Sequence, residues 1–244
     1  LLDQTQTFLE VHDLEMAVLT KDTVQLFDLS GNEINRASFE TELDENDLSK
    51  GAYPYYMLKE IDEQPTVIRK ITNDYLLEKK YITQDLLTVI QQSDHVYFVA
   101  CGTSWHASRI GARYFEEMVK KPAEALLASE VGYRMPLLSE NPLFIFLSQS
   151  GETADSRQVL VKVKELGYQT LTLTNVPGST LARESDYFLP LLAGPEIAVA
   201  STKAYTAQVA VLACLAHLTA NSSLDLVKEL SLVATGMESL ISEK

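Results

Sequence analysis

The sequence predicts an α/β chain: a three-layer αβα sandwich with a mostly parallel sheet, preceded by a short β-rich segment. Three observations predict it. From residue 95 onward, strand-length apolar runs alternate with helix-length segments of 3.6-residue periodicity. The strand runs are apolar throughout, as in Leu143-Phe144-Ile145-Phe146-Leu147, which suits strands covered on both faces. The first 50 residues lack this alternation and carry short β-type runs between turn residues.

Taken in order, Ala17-Val18-Leu19 and Val24-Gln25-Leu26-Phe27-Asp28 read as strands around Thr20-Lys21-Asp22. Ser30-Gly31-Asn32 reads as a turn, with a strand resuming over 33–36, a β-meander of two or three strands. Residues 41–53 read as an acidic linker, solvated and flexible over 40–47. A helix from Tyr56 is expected to stop near Pro65, and a second to run from Pro65 to Glu78, with Val67, Ile68, Ile71, Tyr75 and Leu76 at helical spacing. Leu86, Leu87 and Ile90 suggest a short helix. Strands are then expected at 95–100, 123–128, 143–147, 169–174 and 187–191. The helices between and after them are placed at 104–120, 152–166 with Gly167 as its stop, 179–183, 202–220 and 224–242.

Bulk properties narrow the function classes. The 244 residues are 46% hydrophobic, enough for a substantial core. Acidic residues outnumber basic ones, 34 to 20, and the net charge of −14 disfavours a nucleic-acid or anionic-membrane partner. No apolar run reaches the length of a membrane span, roughly 18 residues. Two cysteines, Cys101 and Cys214, are too few for a disulfide framework and point to a reducing cytoplasm. The chain opens on Leu1 rather than Met and is expected to be a piece of something longer.

Ligands of open parallel sheets sit beyond the carboxyl ends of the strands. Three such ends put hydroxyls at a helix start: Cys101-Gly102-Thr103-Ser104, Ser148-Gln149-Ser150-Gly151-Glu152-Thr153, and Ala200-Ser201-Thr202-Lys203. Ser and Thr are the preferred N-caps of any helix, so each outer loop alone reads as a cap. The middle loop differs. One hydroxyl caps a helix, and here Ser148, Ser150 and Thr153 crowd together with Gln149. Hydroxyls beside unpaired N–H groups at the positive end of a helix dipole suit a phosphate, and hydroxyl-rich surroundings suit a sugar phosphate.

Other residues read as structural. Cys101 follows a buried strand without a paired His and reads as a packed residue rather than a nucleophile. His12, His95, His106 and His217 show no metal-ligand spacing. Glu152 complements a helix dipole more readily than it serves catalysis. Lys203 either neutralises a phosphate or is solvated, and Tyr53, Tyr55 and Tyr56 pack at the linker.

The three loops, extended to Ser148–Asp155 and Glu196–Ala204, resemble the sugar-isomerase (SIS) domain of the isomerizing glutamine–fructose-6-phosphate aminotransferases. Tyr56-Met57-Leu58-Lys59-Glu60-Ile61-Asp62-Glu63-Gln64-Pro65, Asn175-Val176-Pro177-Gly178-Ser179 and Arg183-Glu184-Ser185-Asp186 share the resemblance, which covers nearly the whole chain. It implies a flavodoxin-like SIS subdomain over 81–244, an interdomain segment over 51–80, and the last strands of a glutaminase domain over 1–50. It further implies that Thr103, Ser104, Ser148, Gln149, Ser150 and Thr153 hold fructose 6-phosphate or glucosamine 6-phosphate, with Val199, Ala200 and Ser201 lining the sugar side. By the same resemblance no metal or cofactor is needed, the chain pairs as a homodimer, and the lysine, glutamate and histidine of the chemistry lie beyond Lys244. Binding without turnover is therefore expected. The long helices at 202–220 and 224–242 either pack internally or form the dimer interface. Two rivals are a non-catalytic SIS module of a DNA-binding regulator, which requires a basic helical N-terminus, and an SIS enzyme acting on fructosamine phosphates, which the glutaminase-like residues 1–50 argue against.

Overall fold

The computed structural model describes residues 5, 7–40 and 49–243, so most of the acidic segment at 40–47 lies outside the described residues. The chain divides into two compact units, Leu1–Gly51 and Ala52–Lys244.

In the first unit, β1 (Thr7–Phe8) pairs antiparallel with β5 (Phe39–Glu40). β2 (Glu15–Leu19), β3 (Val24–Asp28) and β4 (Glu33–Ile34) form an antiparallel meander. Its second turn is organised by Asp28, whose carboxylate accepts from the N–H groups of Ser30 and Asn32 at 2.8 and 2.9 Å. Arg36 makes a two-pronged ion pair with Glu15 at 2.6 and 2.7 Å and holds that carboxyl down to about 2.

The second unit opens with α1 (Tyr56–Ile71), which continues into a π-type turn over Thr72–Leu77. The break expected at Pro65 does not occur. Proline removes the donor that Ile61 O would receive, and the Gln64 amide supplies it instead at 3.3 Å, while Pro65 itself is buried. Then follow α2 (Gln84–Gln92), β6 (His95–Ala100), α3 (Gly102–Tyr114, with a π-type last turn to Val119), β7 (Ala123–Leu127) and α4 (Ala128–Val131). The chain goes on through β8 (Pro142–Ser148), α5 (Ala154–Glu165), β9 (Gln169–Thr174), α6 (Thr180–Glu184), β10 (Tyr187–Pro190), α7 (Lys203–Ala220) and α8 (Leu226–Ser242). The short α4 has no periodic sequence signal. α5 stops as expected: Gly167 takes φ +82°, its N–H donates to Lys164 O, and that of Tyr168 donates to Val163 O.

The sheet is wholly parallel, in the order β10-β9-β8-β6-β7. Alternate residues face opposite layers. Val96, Phe98, Ala100, Leu143, Ile145 and Leu147 join the core under α1, α2, α3, α7 and α8. Tyr97, Val99, Phe144 and Phe146 join Val159, Leu160, Val163 and Leu181 of α5 and α6. This is a three-layer αβα sandwich. The order reverses between β6 and β8, the switch point at which open α/β sheets leave a crevice. α7 is almost wholly buried, which accounts for its all-round apolar sequence. Of the linker tyrosines, Tyr55 is exposed rather than packed.

Candidate functional site: the loops at the switch point

β8, the central strand, delivers Ser148 to the carboxyl end of the sheet with its side chain buried. The Ser148 hydroxyl lies 2.8 Å from Thr153 Oγ1 and accepts from the Gly151 N–H at 2.9 Å, so the loop folds back on its first residue. Ser150 is exposed, and its Oγ accepts from the Glu152 N–H at 3.2 Å. Gln149 O accepts from the Asn175 N–H and the Thr174 hydroxyl, pinning the loop to the end of β9. Gly151 sits at φ +69°, and a Cβ there would lie 1.9 Å from Ser179 Oγ, so only glycine fits. Thr153 is the N-terminal boundary residue of α5 but its side chain does not cap the helix. The first-turn N–H groups of α5 therefore face outward beside the hydroxyls, a concentration of donors suited to an anion.

Parallel pairing of Ala100 with Leu147 brings the 101–104 loop beside this one. Ser104 is buried and its Oγ accepts from Gln208 Nε2 of α7 at 2.8 Å; Thr103 is exposed. Cys101 Sγ lies 4.0 Å from Asp155 Oδ2. Burial, reinforced by the Asp155 charge, pushes the Cys101 thiol up, which keeps it protonated and suits a packing role.

The third loop is held from two sides. Asn175 accepts from the Ala193 N–H at 3.0 Å and donates to Gly194 O, linking the loop to the end of β9. Glu196 accepts from the N–H groups of Thr202 and Ala204 and from the Ser201 hydroxyl, at 2.9, 3.1 and 3.0 Å. This carboxylate caps α7, so Ser201 is engaged within its own loop. Val199 and Ala200 project into solvent. Lys203 is neither solvated nor placed to meet a phosphate: it is buried and its Nζ pairs with Glu63 Oε2 at 2.5 Å. Glu60 accepts from the N–H groups of Ile197 and Ala198 at 2.6 and 2.9 Å.

The structure thus brings Thr103, Ser104, Ser148, Gln149, Ser150 and Thr153 to one crevice. It carries Val199–Ser201 on a neighbouring loop tied to the crevice through Asn175 and the Gln208–Ser104 bond. Glu152 has a structural task, accepting from the Thr180 N–H at the start of α6 at 2.8 Å. Sequence reasoning missed Glu60, Glu63, Asn175, Glu196 and Gln208. A usable signal existed for two of them: Gln208 is a lone amide in an apolar helix, and Glu60 recurs with Glu63 and Gln64 at i, i+3, i+4.

Among the described residues no group of three His, Cys, Asp or Glu side chains could hold a metal, and no helix is long and apolar enough to cross a membrane. A cavity of about 390 Å³ lies in the first unit, bordered by Leu26, Ile34 and Arg36. Its arginine is already bound to Glu15, so the chemistry of interest is at the crevice and not there.

Comparison with known proteins agrees with this architecture. A profile of the SIS domain matches residues 89–218. The glutamine–fructose-6-phosphate aminotransferase [isomerizing] of Bacillus licheniformis is 56% identical over all of this chain, and that of Bacillus subtilis 54%. The chain spans 42% of the length of either relative. Among solved structures, the C-terminal domain of glucosamine-fructose-6-phosphate aminotransferase from Francisella tularensis superposes with a TM-score of 0.67 at 36% identity, covering 80% of this chain and 55% of that one. A glucosamine-6-phosphate deaminase from Thermotoga maritima gives 0.65 at 27% identity, covering 76% and 54%. With the profile spanning more than half of its length and the parallel sheet in flavodoxin-like order, the chain belongs to the SIS domain family.

Proposed function

We propose that this chain is the sugar-phosphate-binding part of an isomerizing glutamine–fructose-6-phosphate aminotransferase, which converts fructose 6-phosphate and glutamine to glucosamine 6-phosphate and glutamate. The observation that carries the reading is the crevice loop, in which Ser148, Ser150 and Thr153 surround the uncapped start of α5. In this reading, Ser148, Gln149, Ser150 and Thr153 grip the phosphate with the α5 N–H groups, and Thr103 and Ser104 close the other side. Val199, Ala200 and Ser201 line the sugar. The hydroxyls and amides supply hydrogen bonds, and the helix dipole supplies the positive potential that the net charge of −14 does not.

Residues 1–50 are the end of a glutaminase domain, 51–80 an interdomain segment, and 81–244 the first SIS subdomain. The parent enzyme works in the cytoplasm as a homodimer and needs no metal or cofactor. The isolated chain binds fructose 6-phosphate and glucosamine 6-phosphate and does not interconvert them. Both ligands are expected to raise the melting temperature, and Ser148→Ala and Thr153→Ala to abolish the rise. Absence of any rise at millimolar ligand refutes binding, and product formation by the isolated chain refutes inactivity. Light scattering is expected to give about twice the 27.2 kDa chain mass.

A further inference from the structure

We infer that Glu60 of α1 is a positioning residue for the sugar-lining loop: its buried carboxylate fixes the backbone at Ile197 and Ala198 and thereby sets where Val199, Ala200 and Ser201 stand. The inference rests on the phosphosugar reading above and adds a residue outside all three crevice loops.

The geometry is specific. Glu60 is 2% exposed, and its Oε1 receives two consecutive backbone N–H groups, from Ile197 at 2.6 Å and Ala198 at 2.9 Å. Oε2 is also buried and has no hydrogen-bond partner among the described residues. A buried carboxylate is costly unless bonded, so spending one on two loop amides marks a position that must be held rather than merely filled. The next turn of α1 repeats the grip. Glu63 pairs with the buried Lys203, and Gln64 Oε1 accepts from the Thr206 hydroxyl at 2.5 Å. Residues 60, 63 and 64 lie at i, i+3 and i+4, so one face of α1 grasps the loop and the first turn of α7 together.

The held segment runs directly into Val199–Ser201, whereas the phosphate loop is tied to Asn175, Thr174 and its own hydroxyls and makes no use of Glu60. The two halves of the crevice share Asn175, but the Glu60 grip bears on the sugar half alone. Loss of the carboxylate frees two amides and lets the sugar wall drift, while the phosphate grip stays intact.

The test compares Glu60→Met, Glu60→Gln and Glu60→Asp in the whole chain. Affinity is measured by calorimetry for glucosamine 6-phosphate and, separately, for inorganic phosphate, and amide exchange is followed at Ile197 and Ala198. Glu60→Met removes the acceptor and is expected to speed exchange at both amides and weaken the sugar phosphate at least roughly tenfold, leaving phosphate within about twofold. Glu60→Gln keeps an acceptor oxygen and is expected to stay within about threefold of the parent for both ligands. If Glu60→Met does not fold, Glu60→Asp, one methylene shorter, is expected to show the same selective loss. Equal losses for both ligands, or none for either, overturn the inference. So does a Glu60→Gln chain as impaired as Glu60→Met. A parent chain that binds neither ligand refutes the phosphosugar reading itself; a binding parent with an unimpaired Glu60→Met refutes only the positioning role.

Discussion

Replacing Gly151 by alanine puts two separable costs on one residue. The backbone there is left-handed, φ +69°, which costs an L-residue roughly 1–2 kcal/mol. The new methyl would also stand 1.9 Å from Ser179 Oγ, 2.5 Å from Ser179 Cβ and 2.9 Å from Thr174 Oγ1. Ser179 Oγ can rotate away, but Ser179 Cβ is fixed to its backbone, so the start of α6 must shift, at about 1–3 kcal/mol for overpacking. The sum is about 2–5 kcal/mol, or a fall of about 4–20 °C in melting temperature for a domain of this size. Gly167→Ala is the internal control: φ is +82°, but nothing lies within 4 Å of the added methyl. It is expected to cost only the conformational part, about 1–2 kcal/mol. Gly151→Ala with Ser179→Gly removes the two closest obstructions and is expected to recover much of the difference. Thermal unfolding monitored by circular dichroism measures all three. A Gly151→Ala chain that melts with Gly167→Ala, or a double variant no better than the single, refutes the steric account of the loop.

Three further outcomes are expected. Burial alone would raise the Asp186 carboxyl, but Lys164 and the Thr170 hydroxyl and N–H outweigh it and hold it below its usual 3.8. Its contribution is therefore present above about pH 4 and lost as pH falls below 3.8 through the lower folded value, so Asp186→Asn should flatten the acid limb of a stability–pH curve. An unchanged limb contradicts this. Cys101, pushed up by burial, and Cys214, pushed up to about 12 by burial, should both alkylate more slowly than a free thiol at pH 8; a fast-reacting Cys101 would show it is a thiolate. Gln64→Ala removes both the donor to Ile61 O and the acceptor for Thr206, and should destabilise by about 1–3 kcal/mol in urea titrations, against less than about 0.5 kcal/mol for an exposed surface substitution.

The legible parts of this fold were those in which neighbours along the chain decide the outcome. Leu143–Leu147 announces a two-sided strand because every position is buried, and Gly167 announces a helix end because its N–H and left-handed φ complete a local motif. The crowding of Ser148, Ser150 and Thr153 was legible because it exceeds what a cap requires. What failed to show was decided across the fold. Pro65 reads as a stop, yet a side chain one residue away replaces the missing donor and burial favours continuation. Lys203 reads as a free cation, yet Glu63, 140 residues earlier, meets it in the interior. Glu196 gives no signal of its own, yet its carboxylate caps α7 and holds the Ser201 hydroxyl through a turn that no periodicity encodes.

The carboxylate at the start of α7 has a directional consequence. Two helix starts border the same crevice, each with a surplus of N–H groups, and one of them carries a covalently attached anion of its own. Glu196 acts there as an immobile counter-ion: it satisfies the α7 amides and turns a site of attraction into one of repulsion for any second anion. The start of α5 carries Asp155 in its first turn, but Thr153, its boundary residue, does not cap it. The crevice is thereby polarised from one wall to the other, and a molecule charged at one end and neutral at the other has only one favourable way to lie in it.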